Sequence, residues 1–171
     1  MENFFILSLP VYGKIGDGSV WDKSGECPVV LKLDYEFDFN PDSDLFQTFP
    51  VFIVSNRLAE SLLKAAFSGF EIAAMSITVS ETFLKLYPGR RKPLEYSWLK
   101  VHGRSQIDDF GMHSESRLVV SKRVLDHLQG YELRDYLKYD AEVPLKPNQI
   151  EDDLFDEARK LVRKLQAERE K

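Results

Sequence analysis

Residues 52 to 62 and 118 to 128 align without a gap, Phe-Ile-Val-Ser-Asn-Arg-Leu-Ala-Glu-Ser-Leu against Leu-Val-Val-Ser-Lys-Arg-Val-Leu-Asp-His-Leu, with four identities and four conservative differences. Both segments read the same way. A short apolar run makes a strand, a serine stands where a helix N-cap belongs, and apolar residues follow at helical spacing. These are Leu58, Leu62, Leu63 and Ala66 in the first segment, and Val124, Leu125 and Leu128 in the second. A hydroxyl there accepts from an otherwise unpaired amide of the first turn, which makes Ser55 and Ser121 caps rather than nucleophiles. Gly69 and Gly130 stop the two helices. Eleven residues leave duplication and coincidence both open, but the local design of strand, serine cap and helix holds in either case.

Around these units the pattern is mostly β. Phe4, Phe5, Ile6, Leu7 and Leu9 predict a first strand; Glu2 precedes them and no basic leader or cleavage pattern brackets them. After a glycine-rich loop, Val29 to Phe39 alternate strictly. Leu31, Leu33, Tyr35, Phe37 and Phe39 predict the buried side, and Lys32, Asp34, Glu36 and Asp38 a wet, acidic one. Asn40 to Ser43 close that strand with turn chemistry. A strand over Val51–Val54 follows, then β pattern from Phe70 continuing toward Leu86, a strand over residues 96 to 101, and a last strand before Pro144 and Pro147. The expected fold class is α+β: a mixed, mainly antiparallel sheet with two short helices and a long C-terminal helix. Residues 1 to 148 form one domain. Residues 149 to 171 form an amphipathic helix, acidic first and basic last as the helix dipole favours, that packs on the domain or on a partner.

The chemistry excludes more than it assigns. With 171 residues, a net charge of −5 and one cysteine, Cys27, the chain has no disulfide or cysteine-based zinc framework, and cytoplasmic residence is the expectation. No stretch is apolar for long enough to span a membrane. No phosphate loop, dinucleotide fingerprint, nucleophile elbow or HExxH motif occurs, so no cofactor, metal or catalytic residue is assigned. His102, Asp108, Asp109 and His113 share one loop and could supply an acid–base pair for a small hydrolase-like enzyme, although the same residues suit a surface turn. The basic tip Gly89-Arg90-Arg91-Lys92-Pro93 is one short cluster on an acidic chain, and direct nucleic-acid binding is not expected. Five acids against one base between Val29 and Gln47 suit a basic protein partner.

Three segments carry a family resemblance: Trp98-Leu99-Lys100-Val101, Ile107-Asp108-Asp109-Phe110, and Leu118-Val119-Val120-Ser121-Lys122-Arg123-Val124-Leu125 with the helix and strand after it. Residues 50 to 143 resemble bacterial immunity proteins that neutralise polymorphic or contact-delivered toxins. The resemblance implies a non-enzymatic cytoplasmic inhibitor that binds a cognate toxin domain, here a basic one. The expected partner-binding residues are Asp34, Glu36, Asp38, Asp42 and Asp44, with Asp108 and Asp109 second. A general protein–protein adaptor is the remaining reading.

Overall fold

The computed structural model describes residues 3–25, 28–113, 117–142 and 148–169. Cys27, Pro144 and Pro147 lie outside them. The elements, in chain order, are β1 (Phe4–Ser8), β2 (Gly13–Ile15), β3 (Val20–Asp22), β4 (Val29–Lys32), β5 (Asp34–Phe37), β6 (Leu45–Thr48), β7 (Val51–Ser55), α1 (Asn56–Lys64), β8 (Phe70–Ala73) and β9 (Ser76–Val79). They continue with α2 (Glu81–Leu86), β10 (Tyr96–Val101), β11 (Phe110–Met112), β12 (Leu118–Ser121), α3 (Lys122–Leu128), β13 (Leu137–Asp140) and α4 (Gln149–Arg169). The class is α+β. In place of one sheet the described residues form four, ordered β6-β7-β10-β8, β11-β12-β1-β13, β2-β5-β9 and β3-β4. Every pairing is antiparallel except β5 with β9.

The two four-stranded sheets are built alike, in the same register. Tyr96 stands opposite Ser55 and Phe4 opposite Ser121; Leu99 faces Phe52 as Leu7 faces Leu118. The backbone bonds at the helix starts also correspond, Asn56 N–H to Glu95 C=O and Lys122 N–H to Asn3 C=O, both at 2.8 Å. A strand from elsewhere in the chain sits inside each sheet. β1, which precedes the first hairpin, lies in the sheet of the second, and β10, which precedes the second hairpin, lies in the sheet of the first. The halves therefore exchange their leading strands.

Both helices face one shared core in which equivalent positions are buried together: Leu7 and Leu99, Leu45 and Phe110, Phe52 and Leu118, Val54 and Val120, Leu58 and Val124, Leu62 and Leu128. Each such side chain contributes roughly 1.5–3 kcal/mol of burial. The outer faces differ. Ile53 and Trp98 are covered by Leu33, Tyr35 and Phe37 from the segment inserted between β1 and β6 and by Phe83 of α2, whereas the corresponding Val119 and Ile6 form a small cluster with Phe4, Tyr139 and Ala141. In α4, Ile150 is buried and Asp153 accepts the Tyr139 hydroxyl at 2.8 Å, while Leu154 and Phe155 are exposed.

Two expectations need correction. The alternating strand breaks at Leu33, and the buried set changes parity there: Val30 is inward in β4, and Leu33, Tyr35 and Phe37 are inward from β5 onward, leaving Leu31 and Phe39 in solvent. The β pattern from Phe70 does not reach Leu86. It splits into β8 and β9, which belong to different sheets, and Ser80 then caps α2 by accepting the Phe83 amide at 3.3 Å. The run was ambiguous because Phe83 alone of α2 is buried, so no helical stripe shows.

Where the sheets meet, two glycines converge on the Phe110 carbonyl. A Cβ on Gly103 would lie 2.1 Å from that oxygen and 2.6 Å from Gly69 Cα; one on Gly69, at φ +89°, would lie 2.1 Å from the same oxygen. Gly89 has φ +77° but nothing within 4 Å of its would-be Cβ. Gly103→Ala should therefore cost about 3 kcal/mol or more, through a backbone clash that no rotamer relieves. Gly89→Ala should cost only about 1 kcal/mol, its backbone term. Urea unfolding of the two variants checks this, and equal losses would contradict it.

Candidate functional site

Two aspartates, each just before the first strand of a hairpin, sit at equivalent places. Asp44 precedes β6, and its C=O accepts the Ser55 amide at 2.8 Å; Asp109 precedes β11, and its C=O accepts the Ser121 amide at 2.9 Å. Each cap serine accepts an amide of its helix with its Oγ, from Leu58 and Val124 respectively, both at 3.3 Å. Each hydroxyl then donates to the carboxylate of its own hairpin, Ser55 to Asp44 and Ser121 to Asp109. The second carboxylate oxygen reaches the other half. Asp44 Oδ2 accepts the Glu132 amide at 2.8 Å, just after α3, and Asp109 Oδ2 accepts the Ser68 amide at 3.0 Å, just after α1.

An arginine completes each arrangement. Arg57 donates from Nε and Nη2 to both Asp44 oxygens, and Arg123 lies 3.6 Å from Asp109. Their guanidinium groups rest over Tyr131 and Phe67, at 5.5 and 5.3 Å from the ring centres. Those rings immediately precede Glu132 and Ser68, so every contact has its counterpart with the halves reversed, as across a two-fold axis. Ser61 and His127, equivalent positions on α1 and α3, meet at 2.8 Å.

The expected contact residues scatter accordingly. Asp34, Asp44 and Asp109 are 8%, 5% and 8% exposed and turn inward, so no continuous acidic strand face exists. Asp34 holds the turn packed against it, accepting the Gly18 amide at 3.3 Å. Glu36 pairs with Lys14 at 3.0 Å, and Asp38 is half-buried. Asp108 closes its own turn through the Arg104 amide at 2.7 Å. Asp109 is engaged by Ser68, Ser121 and Arg123, and the His102 amide bonds the Gly69 carbonyl at 2.9 Å. Among the described residues no group of three or more His, Cys, Asp or Glu side chains is placed to hold a metal ion.

Asp42 and Asp44 do come together, at a cleft of about 400 Å³ whose walls include Ser43, Ser55, Arg57, Glu95, Tyr96 and Glu132. Asp42, Glu95 and Glu132 are exposed there, from three segments distant in sequence. Asp42 accepts the Tyr12 hydroxyl, Arg57 is committed to Asp44, and Glu132 pairs with Arg134 at 2.9 Å. Burial, with the Asp44, Glu95 and Asp42 charges adding, pushes the Tyr96 phenol up to about 12, and its hydroxyl donates to the Ser43 carbonyl at 3.4 Å. The arrangement can receive a cationic group beside an aromatic ring. Glu95, Tyr96 and Glu132 carry no local sign of this role in the sequence. The signal for the clamps was an Asp eleven residues before Ser55 and another twelve before Ser121.

Burial raises the Asp44 carboxyl, but the Arg57 and Ser55 hydrogen bonds, the Glu132 amide and the Arg57 charge outweigh it and hold the group below its ordinary value. Folded protein therefore binds fewer protons at Asp44 than unfolded chain does. Its stabilisation is complete above the ordinary carboxylate value of about 4 and is lost as pH falls through the lower native value. Asp44→Asn should cost about 2–3 kcal/mol at neutral pH and flatten the acid limb of the stability–pH curve. Denaturant titrations from neutral to acid pH check this; an unchanged midpoint would contradict it. No protein-family model matches this sequence, and no curated protein matches it at a significant level.

Proposed function

We propose that this chain is a non-enzymatic immunity protein that binds and neutralises a cognate bacterial toxin domain in the cytoplasm, taking a basic group of the toxin into the cleft beside Asp44. The observation that carries the reading is the convergence of the exposed Asp42, Glu95 and Glu132 carboxylates on one cavity, in which Arg57 is committed to Asp44 and Glu132 is shared with Arg134 at 2.9 Å. Sequence resemblance over residues 50 to 143 supports the same class, and the net charge of −5 suits a basic partner. Carboxylates at a rim act mainly on encounter, raising the association rate, while the neighbouring ring supplies apolar area to hold the complex. The hydrolase-like alternative gains no support from Asp109, whose carboxylate is buried and shared among two hydrogen bonds and Arg123.

The test pairs the chain with the product of the adjacent reading frame in its genome. That product should be toxic alone, tolerated when co-expressed, and recovered in complex with this protein. The triple substitution Asp42→Lys, Glu95→Lys, Glu132→Lys should slow association about tenfold or more at low salt, with the difference shrinking as ionic strength rises. A harmless neighbour that does not bind would overturn the reading, and a triple variant that associates as fast as the parent would remove the cleft from it.

A further inference from the structure

The basic tip between α2 and β10 has no part in the cleft, yet it lies next to it in the chain. Arg90, Arg91 and Lys92 are exposed, and none of them has an acidic partner among the described residues. Two are engaged by neutral groups: Arg90 rests over the Tyr87 ring at 5.9 Å, and Lys92 Nζ donates to the Ile77 carbonyl at 3.2 Å. Buried Pro93 fixes the base of the tip. Leu94, 63% exposed, then leads directly to Glu95 in the wall of the cleft.

The acids of the cleft do not serve the frame. Asp42 stands two residues before one clamp aspartate, and Ile107 stands two before the other; Glu95 and Glu132 have Asn3 and Ser68 as their counterparts. The clamp around Asp109 therefore forms without any of these three charges. One surface thus carries an acidic hollow and, one exposed leucine away along the chain, a basic projection. Two patches of opposite sign side by side are complementary to the same pair turned through half a circle, so this surface fits a second copy of itself about a two-fold axis. The tip of each copy enters the cleft of the other. Leu94, between the patches, meets its own copy at the axis, where no charges face each other. An exposed ion pair contributes little alone, but the axis makes every pair twice and covers an apolar side chain between them.

We propose that the tip Arg90-Arg91-Lys92 docks in the acidic cleft of a second copy of this chain, and the second tip in the first cleft, forming a two-fold dimer about Leu94. A tip seated there excludes other cations, so the pairing competes with the partner proposed above; that consequence rests on the earlier reading, and the pairing itself does not. Sedimentation equilibrium on the full chain alone tests it. At low salt the parent mass should rise with concentration to twice the monomer value and no further, and fall back as salt is added. R90E/R91E/K92E makes tip and cleft both acidic, and D42K/E95K/E132K makes both basic. Each variant should stay monomeric, and an equimolar mixture should regain the dimer mass, because every tip again meets a cleft of opposite sign. Leu94→Glu, at an exposed position that folding does not depend on, sets two carboxylates together at the axis and should weaken the dimer about tenfold or more. A parent that stays at monomer mass at every concentration overturns the proposal. A parent dimer that tolerates both reversals, or one that Leu94→Glu leaves unchanged, places the contact elsewhere and overturns it equally.

Discussion

Two buried aspartates hold this molecule together. Asp44 and Asp109 each bind the serine that caps the helix after their own hairpin and the amide that follows the helix of the other half. A carboxylate accepts several hydrogen bonds at once, and the charge strengthens each of them. In water-poor surroundings such a group is costly unless every oxygen is occupied, so the same residue that joins the segments penalises their separation. Strand exchange adds to this. With β1 in one sheet and β10 in the other, neither half retains its own leading strand, and the shared core of Leu58, Leu62, Val124 and Leu128 forms only when both are in place.

The halves are alike in frame and unlike in dressing. Inserted strands and α2 cover the outer face of the sheet containing β7 and β10, while the equivalent face around Ile6 and Val119 carries only a small cluster near the start of α4. The acidic cleft follows from this asymmetry. Asp42 belongs to the inserted segment, Glu95 to the approach to β10, and Glu132 to the loop that Asp44 anchors. A clamp that is structural in its buried part thereby fixes the position of carboxylates that are exposed.

Local rules made much of the frame legible. Ser55 and Ser121 read as caps because capping is decided within four residues, and both accept the amides three positions on. The match between residues 52 to 62 and 118 to 128 extends in the structure to strand register, clamp and core. The sheets were not legible. β6 and β11 are short and lack alternation, and no local pattern announces that a strand will pair with the other half. Charge spacing misled for the same reason. Asp34 read as part of a wet face and Asp44 as an exposed partner contact, but β5 lies between β2 and β9 and Asp44 lies under Arg57, so both are covered. Glu95 and Glu132 escaped notice because only the tertiary fold brings them to Asp42.

The reciprocal clamp is tested most directly by native-state hydrogen exchange at the Ser68 and Glu132 amides, which bond the two carboxylates from opposite halves. Both should exchange only through global unfolding, and Asp44→Asn should lower the protection of Ser68 as much as that of Glu132, because neither half stands alone. Fast exchange at either amide in the parent protein, or a loss confined to Glu132 in the variant, would contradict the account.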